Sequence, residues 1–453
     1  MFYLDRETEL TADILYKMIK RFQLVVKPKL EKYKNYYDGI QAILSKKYAD
    51  ESKPCNKTVI NYCKNIVDSY CGYLATPGHI SYSSENDIEE IMNILRYNDF
   101  QSEDSDLLKD ALIYSVAHEL MYVDSDAKTR FKLIDPLTCF GVYDSSLTAD
   151  LTHFVRMYKV SDWADEGEKN IWTIDVYDDK TITTYRMTGD LSKPTFVSSK
   201  PHYFGQCPAN IFVMPDEKSI FDCIMSEQDS VNELLSAEID DYSAFCDAYL
   251  VLEDCELEEE SVKEMKTNRV LQLPQGAKAY WLTKASNDTQ VENILKRLHD
   301  SIYRTAQCPD FSSESFIGGV SSGIAIQYRL TGMETRAGKI EAEMKKALQR
   351  RVEILCGMAA LKLGEEVFRD IEITFKRNIP ADSAQVVQMI NSLQGMVSDE
   401  TLLSQLDFIP DVQAELEKIQ AQKERNVSMF GGSLFNDAQD ESQSEDSDEN
   451  DFE

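Results

Sequence analysis

A mainly helical α+β fold is what this sequence predicts, on three observations. Segments 216–248, 289–306 and 324–363 carry apolar residues at helical spacing, the first through Ile220, Ile224, Val231, Leu234, Leu235, Ile239 and Tyr242. Between 119 and 214 the runs His153–Val160, Trp172–Tyr177 and Thr181–Arg186 are β-branched, aromatic and alternating, with Asp178-Asp179-Lys180 as a tight turn, which reads as a small antiparallel β unit. The stretch 436–453 is rich in Asp, Glu, Ser and Gln, has no Lys or Arg, and is expected to be disordered.

Composition sets the outer limits. With 453 residues, 43% of them hydrophobic, there is enough apolar material for two or three packed domains, and a wholly disordered chain is excluded. No run of about 18 uncharged apolar residues occurs, and the start MFYLDRETEL lacks the basic and apolar regions of a secretory signal, so a soluble, cytoplasmic protein without membrane contact is expected. The ten cysteines are scattered without a CxxC pair, which predicts reduced, mostly buried thiols, and the five histidines show no metal-ligand spacing. No metal and no cofactor are expected. The net charge of −31 argues against tight, non-specific wrapping of DNA, while leaving room for a duplex that only passes by.

Taken in order, residues 7–48 predict two helices, through Leu10, Ile14, Met18 and Ile19 and then Tyr33, Tyr36, Tyr37 and Ile40, with Asp38-Gly39 breaking the second. Asn56 is the expected cap of a helix bearing Val59, Ile60, Cys63, Ile66, Val67 and Tyr70 and ending near Gly72. A further helical stretch is expected over 88–117. After the β unit, the helix over 216–248 carries Asp216, Glu217, Asp222, Glu227, Asp229, Glu233, Glu238, Asp240 and Asp241 against Lys218 alone, a one-signed face that is expected to serve something outside the helix. Tyr249–Leu252, Arg269–Leu273 and Ala279–Leu282 are strand candidates of a compact α/β insertion, so the helices on either side form a hairpin with a tip. Ile371–Phe375 is a last strand candidate before a polar helical region over 383–423.

Enzymatic constellations are scarce. Gly318-Gly319-Val320-Ser321-Ser322-Gly323 precedes a helix but lacks the GK[ST] ending of a P-loop and a strand leading into it, so it reads as a flexible loop. His118-Glu119 and Asp135-Pro136 have no partner at recognisable spacing and read as surface or structural polar residues. Carboxylate runs such as Asp240-Asp241 and Glu258-Glu259-Glu260 are expected in so acidic a chain without any chemistry.

Several phrases, in their order, carry a resemblance. Tyr36-Tyr37-Asp38-Gly39, then Asn56-Lys57, Asn61–Asp68 and Gly72-Tyr73-Leu74, are followed by Glu119–Asp124, Ile134-Asp135-Pro136 and Val142-Tyr143-Asp144. Further on come Tyr280–Lys284, Val291–Leu295, Pro309-Asp310 with Phe316 and Ser321-Ser322-Gly323, and finally Phe375–Pro380. Over about 33–380 the chain resembles the portal proteins of siphovirus-type tailed double-stranded-DNA phages.

That resemblance implies a homo-oligomeric ring, commonly of twelve subunits, at one capsid vertex of the virion. Such a ring is assembled in the host cytoplasm and forms the channel for DNA packaging and ejection; it is not an enzyme. It divides the chain into a wing (1–215), a stem helix (216–248), a clip insertion (249–288), a second stem helix (289–307), a tunnel loop (308–323), a long wing helix and strand (324–380), a helical crown (381–425) and an acidic tail (426–453). The implied channel wall is Glu227, Glu233, Glu238 and Asp241. The implied tunnel-loop residues are Phe316, Gly318, Gly319, Ser321, Ser322 and Gly323, and the implied docking residues of the clip are Glu258, Glu259, Lys263 and Lys266. Implied partners are the DNA duplex, the terminase large subunit, the major capsid and scaffold proteins, and head-completion or adaptor proteins. Two other readings stay open: a different head-tail connector or scaffold-type oligomer, and a packaging-associated enzyme, which should show a P-loop or a clustered acidic metal site.

Overall fold

A computed structural model describes residues 2–48, 54–159, 171–189, 192–245, 249–253, 276–282, 288–313, 316, 323–358, 367–378, 390–403, 406, 412, 415–416 and 418–423. The chain divides into two units, Met1–Asn378 and Ile379–Glu453.

In the first unit, β1 (Phe2–Leu4) leads into α1 (Ala12–Arg21), whose Thr11 side chain caps the helix by accepting from the Ile14 N–H. A five-residue π-helical segment, Phe22–Val26, joins α1 to α2 (Lys27–Tyr37) without a break. Next come α3 (Tyr62–Leu74), β2 (Ile80–Ser83), α4 (Glu89–Tyr97) and α5 (Phe100–Tyr114). The single helical stretch expected over 88–117 is therefore two helices. Asp99, with φ at 51°, turns the chain between them, and Ser115, at 72°, ends the second so that a strand begins at Val116.

The β region is larger than a simple antiparallel unit. Strands β3 (Val116–Val123), β4 (Thr129–Ile134), β5 (Cys139–Asp144), β6 (Leu151–Lys159), β7 (Ile171–Tyr177), β8 (Thr181–Thr188), β9 (Thr195–Pro201) and β10 (Ala209–Val213) form two sheets. One is six-stranded, in the order β1-β5-β6-β7-β8-β9; the other is three-stranded, in the order β10-β3-β4. The turn at Asp178 joins β7 to β8 as expected, its carboxylate accepting from the Lys180 and Thr181 N–H groups. β1 is the parallel exception: it pairs Phe2 with Val142, which places the N-terminus on the sheet's edge.

Alternation decides which face is packed. Phe140, Val142, Val155, Met157, Ile174, Val176 and Met187 meet Leu15, Met18, Ile19 and Phe22, so the apolar stripe of α1 covers one face of the large sheet. On the other face Cys139, Phe154 and Tyr177 meet Leu120, Cys207 and Ala209 of the small sheet and the chain leading into it.

The chain then forms α6 (Met225–Phe245), preceded by a single 3-10 turn at Asp222–Ile224, so residues 216–221 lie outside the expected long helix. After α6 come β11 (Tyr249–Glu253), β12 (Lys278–Leu282) and α7 (Asp288–Thr305). β11 and β12 pair antiparallel, Tyr249 opposite Leu282, and α6 packs on α7. The long helix α8 (Gly323–Cys356) spans 34 residues, about 50 Å at 1.5 Å per residue. Leu330, Met333, Ala337, Ile340, Met344, Ala347, Leu348, Val352 and Leu355 give it a continuous buried stripe. β13 (Glu372–Phe375) pairs with β2, joining two segments almost three hundred residues apart. In the second unit α9 (Asp399–Leu403) is a short helix that buries Leu402. Among the described residues no helix is long and apolar enough to cross a membrane.

Candidate functional site

Helix α6 holds the four residues expected to line the channel, Glu227, Glu233, Glu238 and Asp241, and another of its faces is polar and buried. Gln228, Asn232, Ser236 and Asp240 stand at i, i+4, i+8 and i+12 on α6, and all four are buried. Opposite them residues 56–60 run extended and antiparallel to the helix, and Tyr62, the first residue of α3, ends the row. The Asn56 N–H donates to Asp240 Oδ1 (2.6 Å), Thr58 to Ser236 Oγ (3.0 Å), Ile60 to Asn232 Oδ1 (3.0 Å) and Tyr62 to Gln228 Oε1 (2.9 Å). Four helical residues advance about 6.0 Å and two extended residues about 6.6 Å, so the two repeats stay nearly in step. The side chains absorb the difference, shortest at Ser236 and longest at the terminal Gln228.

This ladder corrects the expected helix start. Asn56 does not cap a helix; it closes the ladder. Asn61 is the cap, accepting from the Lys64 N–H at 3.1 Å, and α3 begins at Tyr62. The β-branched run Thr58-Val59-Ile60 favours the extended form, and the ladder supplies hydrogen-bond partners for its alternate N–H groups.

The acidic face of α6 is also redistributed. Asp229 and Asp240 of α6, and Asp222 of the turn before it, are used within the subunit. Tyr33 donates to Asp222 (2.7 Å), Tyr36 to Asp229 (2.8 Å) and Tyr48 to Asp240 (3.0 Å), and Lys46 lies 3.7 Å from Asp240. Burial, reinforced by these hydrogen bonds, raises the phenols of Tyr33 and Tyr36, keeping them proton donors at any working pH. At Asp240 burial alone would raise the carboxyl, but the Asn56 backbone and side-chain donors together with Tyr48 and Lys46 hold it below the usual range.

Glu227, Glu238 and Asp241 fall within an arc of roughly 60° on α6 at 100° per residue, Asp241 exposed and the two glutamates half-buried. Glu233 stands on another side of the helix, exposed, and lines a shallow cleft with Ala42, Ile43, Lys46 and Asp229. At the other end of α7, Phe316 packs edge-on against Phe311 (5.2 Å between centroids), and its carbonyl accepts from Arg329 of α8 at 3.3 Å. Asp310 lies 3.4 Å from His299 of α7. Gly323 is the first residue of α8. Gly318, Gly319, Ser321 and Ser322 lie outside the described residues, as do Glu258, Glu259, Lys263 and Lys266, the strand candidate at 269–273 and the stretch 424–453.

Phrases scattered along the sequence meet in space. Tyr36 ties α2 to α6, while Tyr37 donates to Asp68 of α3 at 2.9 Å. Gly39, at φ +82°, turns the chain beside the Asn61 side chain, which donates to the Tyr37 carbonyl. Tyr73 donates to Glu334 of α8; the same carboxylate receives a two-pronged contact from Arg377, which also reaches Glu341 at 2.6 Å. Asn378 donates to the Gly72 carbonyl, and Tyr70 to the carbonyls of Ala306 and Gln307.

Sequence reasoning missed the second tie between α8 and the β region. Arg351, fully buried, contacts both Asp104 and Glu119, the latter at 2.8 Å, with its guanidinium 4.6 Å from the centre of the Phe131 ring. Tyr82 donates to Asp104 and Asn210 to Glu119. Burial raises the Asp104 carboxyl, and Arg351 pulls it back only in part. Glu119 thus has its partner 232 positions away. Its neighbour His118 is buried and held neutral, its imidazole pushed down to about 3 by desolvation. Among the described residues no group of three or more His, Cys, Asp or Glu side chains could hold a metal ion.

With this geometry in view, two comparisons bear on the chain. A family described as phage portal protein, SPP1 Gp6-like, matches residues 19–429. The portal protein of Bacillus phage SPP1 is 22% identical over 451 residues, covering 92% of this chain and 85% of that protein.

Proposed function

The chain belongs to the phage portal protein family of the SPP1 Gp6-like type, and on that premise we propose that twelve copies close into a ring at one capsid vertex, around a channel that carries the DNA duplex. The family is structural and its place is the virion capsid. Portal function follows from membership over most of the chain, the one observation that carries the reading. The ring acts as a conduit without catalysing a reaction. It forms in the host cytoplasm, where it meets scaffold and major capsid proteins, and it later docks the terminase large subunit and head-completion or adaptor proteins.

Within that ring, α6 and α7 serve as the stem and the β11–β12 ribbon as part of the clip. Residues before 216, with α8 and β13, serve as the wing, residues 308–323 as the tunnel loop and 381–425 as the crown. The packing of α6 on α7 and the pairing of β11 with β12 support this division. Electron microscopy of the purified protein with mass photometry is expected to show rings with a central hole wide enough for a duplex and a mass near twelve copies. A monomer at every concentration, with and without scaffold protein, would overturn the ring.

Glu227, Glu233, Glu238 and Asp241 of α6 serve as the channel wall; in the single subunit Glu233 and Asp241 are exposed and Glu227 and Glu238 half-buried. Repeated around a ring they present a negative surface to which phosphates do not adhere. Replacing all four by Lys is expected to leave the rings intact by microscopy and to cut DNA packaging at least about tenfold, because each lysine adds a phosphate contact. Normal packaging by the quadruple variant would remove these residues from the wall.

A further inference from the structure

A pocket of about 250 Å³ opens beside the π-helical segment Phe22–Val26. Phe22, Val25, Val26, Leu30, Phe140 and Ile211 form its apolar walls. His118 also lines it and stays neutral, so this wall carries no charge. The size suits one aromatic ring, since a cavity of about 150 Å³ already accepts benzene. The extra residue per turn of a π-helix coincides with two large apolar side chains left in solvent, Val25 at 63% exposure, which lines the pocket, and Leu24 at 57%, its neighbour in the chain.

The stretch of chain that forms one side of the pocket has the opposite sign to the protein as a whole. Residues 12–37 contain seven Lys and Arg against two carboxylates, in a chain of net charge −31. Lys17, Lys20, Arg21, Lys29 and Lys32 are exposed. Both carboxylates of this stretch are already paired, Asp13 with Lys193 at 2.6 Å and Glu31 with Lys27 at 3.8 Å. Glu217 is the one acidic residue lining the pocket, and its carbonyl accepts from Lys29 at 3.5 Å.

We propose that this face of α1 and α2 docks a segment of a partner protein that inserts one aromatic side chain into the pocket and lays flanking carboxylates on the lysines. A nucleic acid would use the charge but not the pocket; an uncharged apolar peptide would use the pocket but not the charge. Both features together select an acidic segment with an aromatic anchor. The inference does not depend on the ring, because every residue in it belongs to one subunit.

The test is fluorescence anisotropy with the full chain and a labelled twelve-residue peptide, one central Phe among Asp, Glu and Ser. Binding is expected, about tenfold weaker when the Phe is replaced by Ala and progressively weaker as salt rises through the range in which surface charge is screened. Leu24→Glu and Val25→Glu, at exposed positions that spare the core, are each expected to weaken binding about tenfold at an unchanged melting temperature. Equal binding of the Phe and Ala peptides would overturn the proposal, as would indifference to both substitutions. Displacement of the peptide by a short DNA duplex of higher affinity would assign the face to phosphates instead.

Discussion

Arg351→Met is expected to lower stability by about 3–5 kcal/mol, because it leaves two carboxylates buried with no counter-charge. The guanidinium contacts Asp104 and Glu119 together, and neither carboxylate reaches solvent. Tyr82 and Asn210 each give one hydrogen bond, which is too little to hold two anions in the interior. The loss should also depend on pH, and its sign is fixed. A carboxyl whose folded value lies above its unfolded value binds more protons in the folded state, so its contribution falls as pH rises through that interval. Asp104 is already raised by burial, and removing Arg351 raises it further. The gap in melting temperature between wild type and variant should therefore widen from pH 5 to pH 8. A gap that is constant with pH, or a loss under about 1 kcal/mol, the scale of an exposed pair, would mean that water reaches the cluster. Since this cluster joins α8 to the β region, its loss should also loosen the long helix, measurable as faster amide exchange over 344–356.

How much of this was legible in the sequence depends on whether a feature repeats locally. The stripe of α8 and the alternation of β6 to β8 are visible because each residue's environment follows from its near neighbours. The ends of α8 and α6 are less so: the apolar pattern continues to about Leu363 and back to Ile220, whereas α8 ends at Cys356 and α6 starts at Met225. Glu119 was readable only as a polar residue, because nothing near it announces Arg351. The acidity of α6 misled for a related reason. Asp222, Asp229 and Asp240 look like Glu227 and Asp241 in the sequence, and only the positions of Tyr33, Tyr36 and Tyr48 single them out as carboxylates bound by these phenols. One signal could have been used: Gln228, Asn232, Ser236 and Asp240, all able to accept a hydrogen bond, recur at every fourth position beside a run of β-branched residues. Their spacing matches two residues of extended chain.

That ladder is where a single uncharged substitution should cost most. Asn232→Leu preserves the helix and roughly the volume, but it removes the acceptor for the Ile60 N–H and for the Gln228 amide, and the donor to Gln41. Each buried polar group left without a partner costs about 1–3 kcal/mol, so a total on the order of 3 kcal/mol or more is expected. The effect should be local before it is global. Amide exchange at Thr58, Ile60 and Tyr62 should speed up well before α6 itself loses protection, because the helix retains its own backbone bonds while the extended segment has no other partner for these N–H groups. Ser230→Ala provides the contrast, since Ser230 is exposed and bonds only to the Ser226 carbonyl within the same helix; its expected cost is within about 0.5 kcal/mol. Equal exchange rates at 58, 60 and 62 in the Asn232→Leu protein and the wild type would show that side chains on α6 do not hold the segment leading into α3. If the rates diverge as expected, the polar face of α6 fixes the start of α3, and through Tyr70 and Tyr73 the contacts that α3 makes with the end of α7 and with α8.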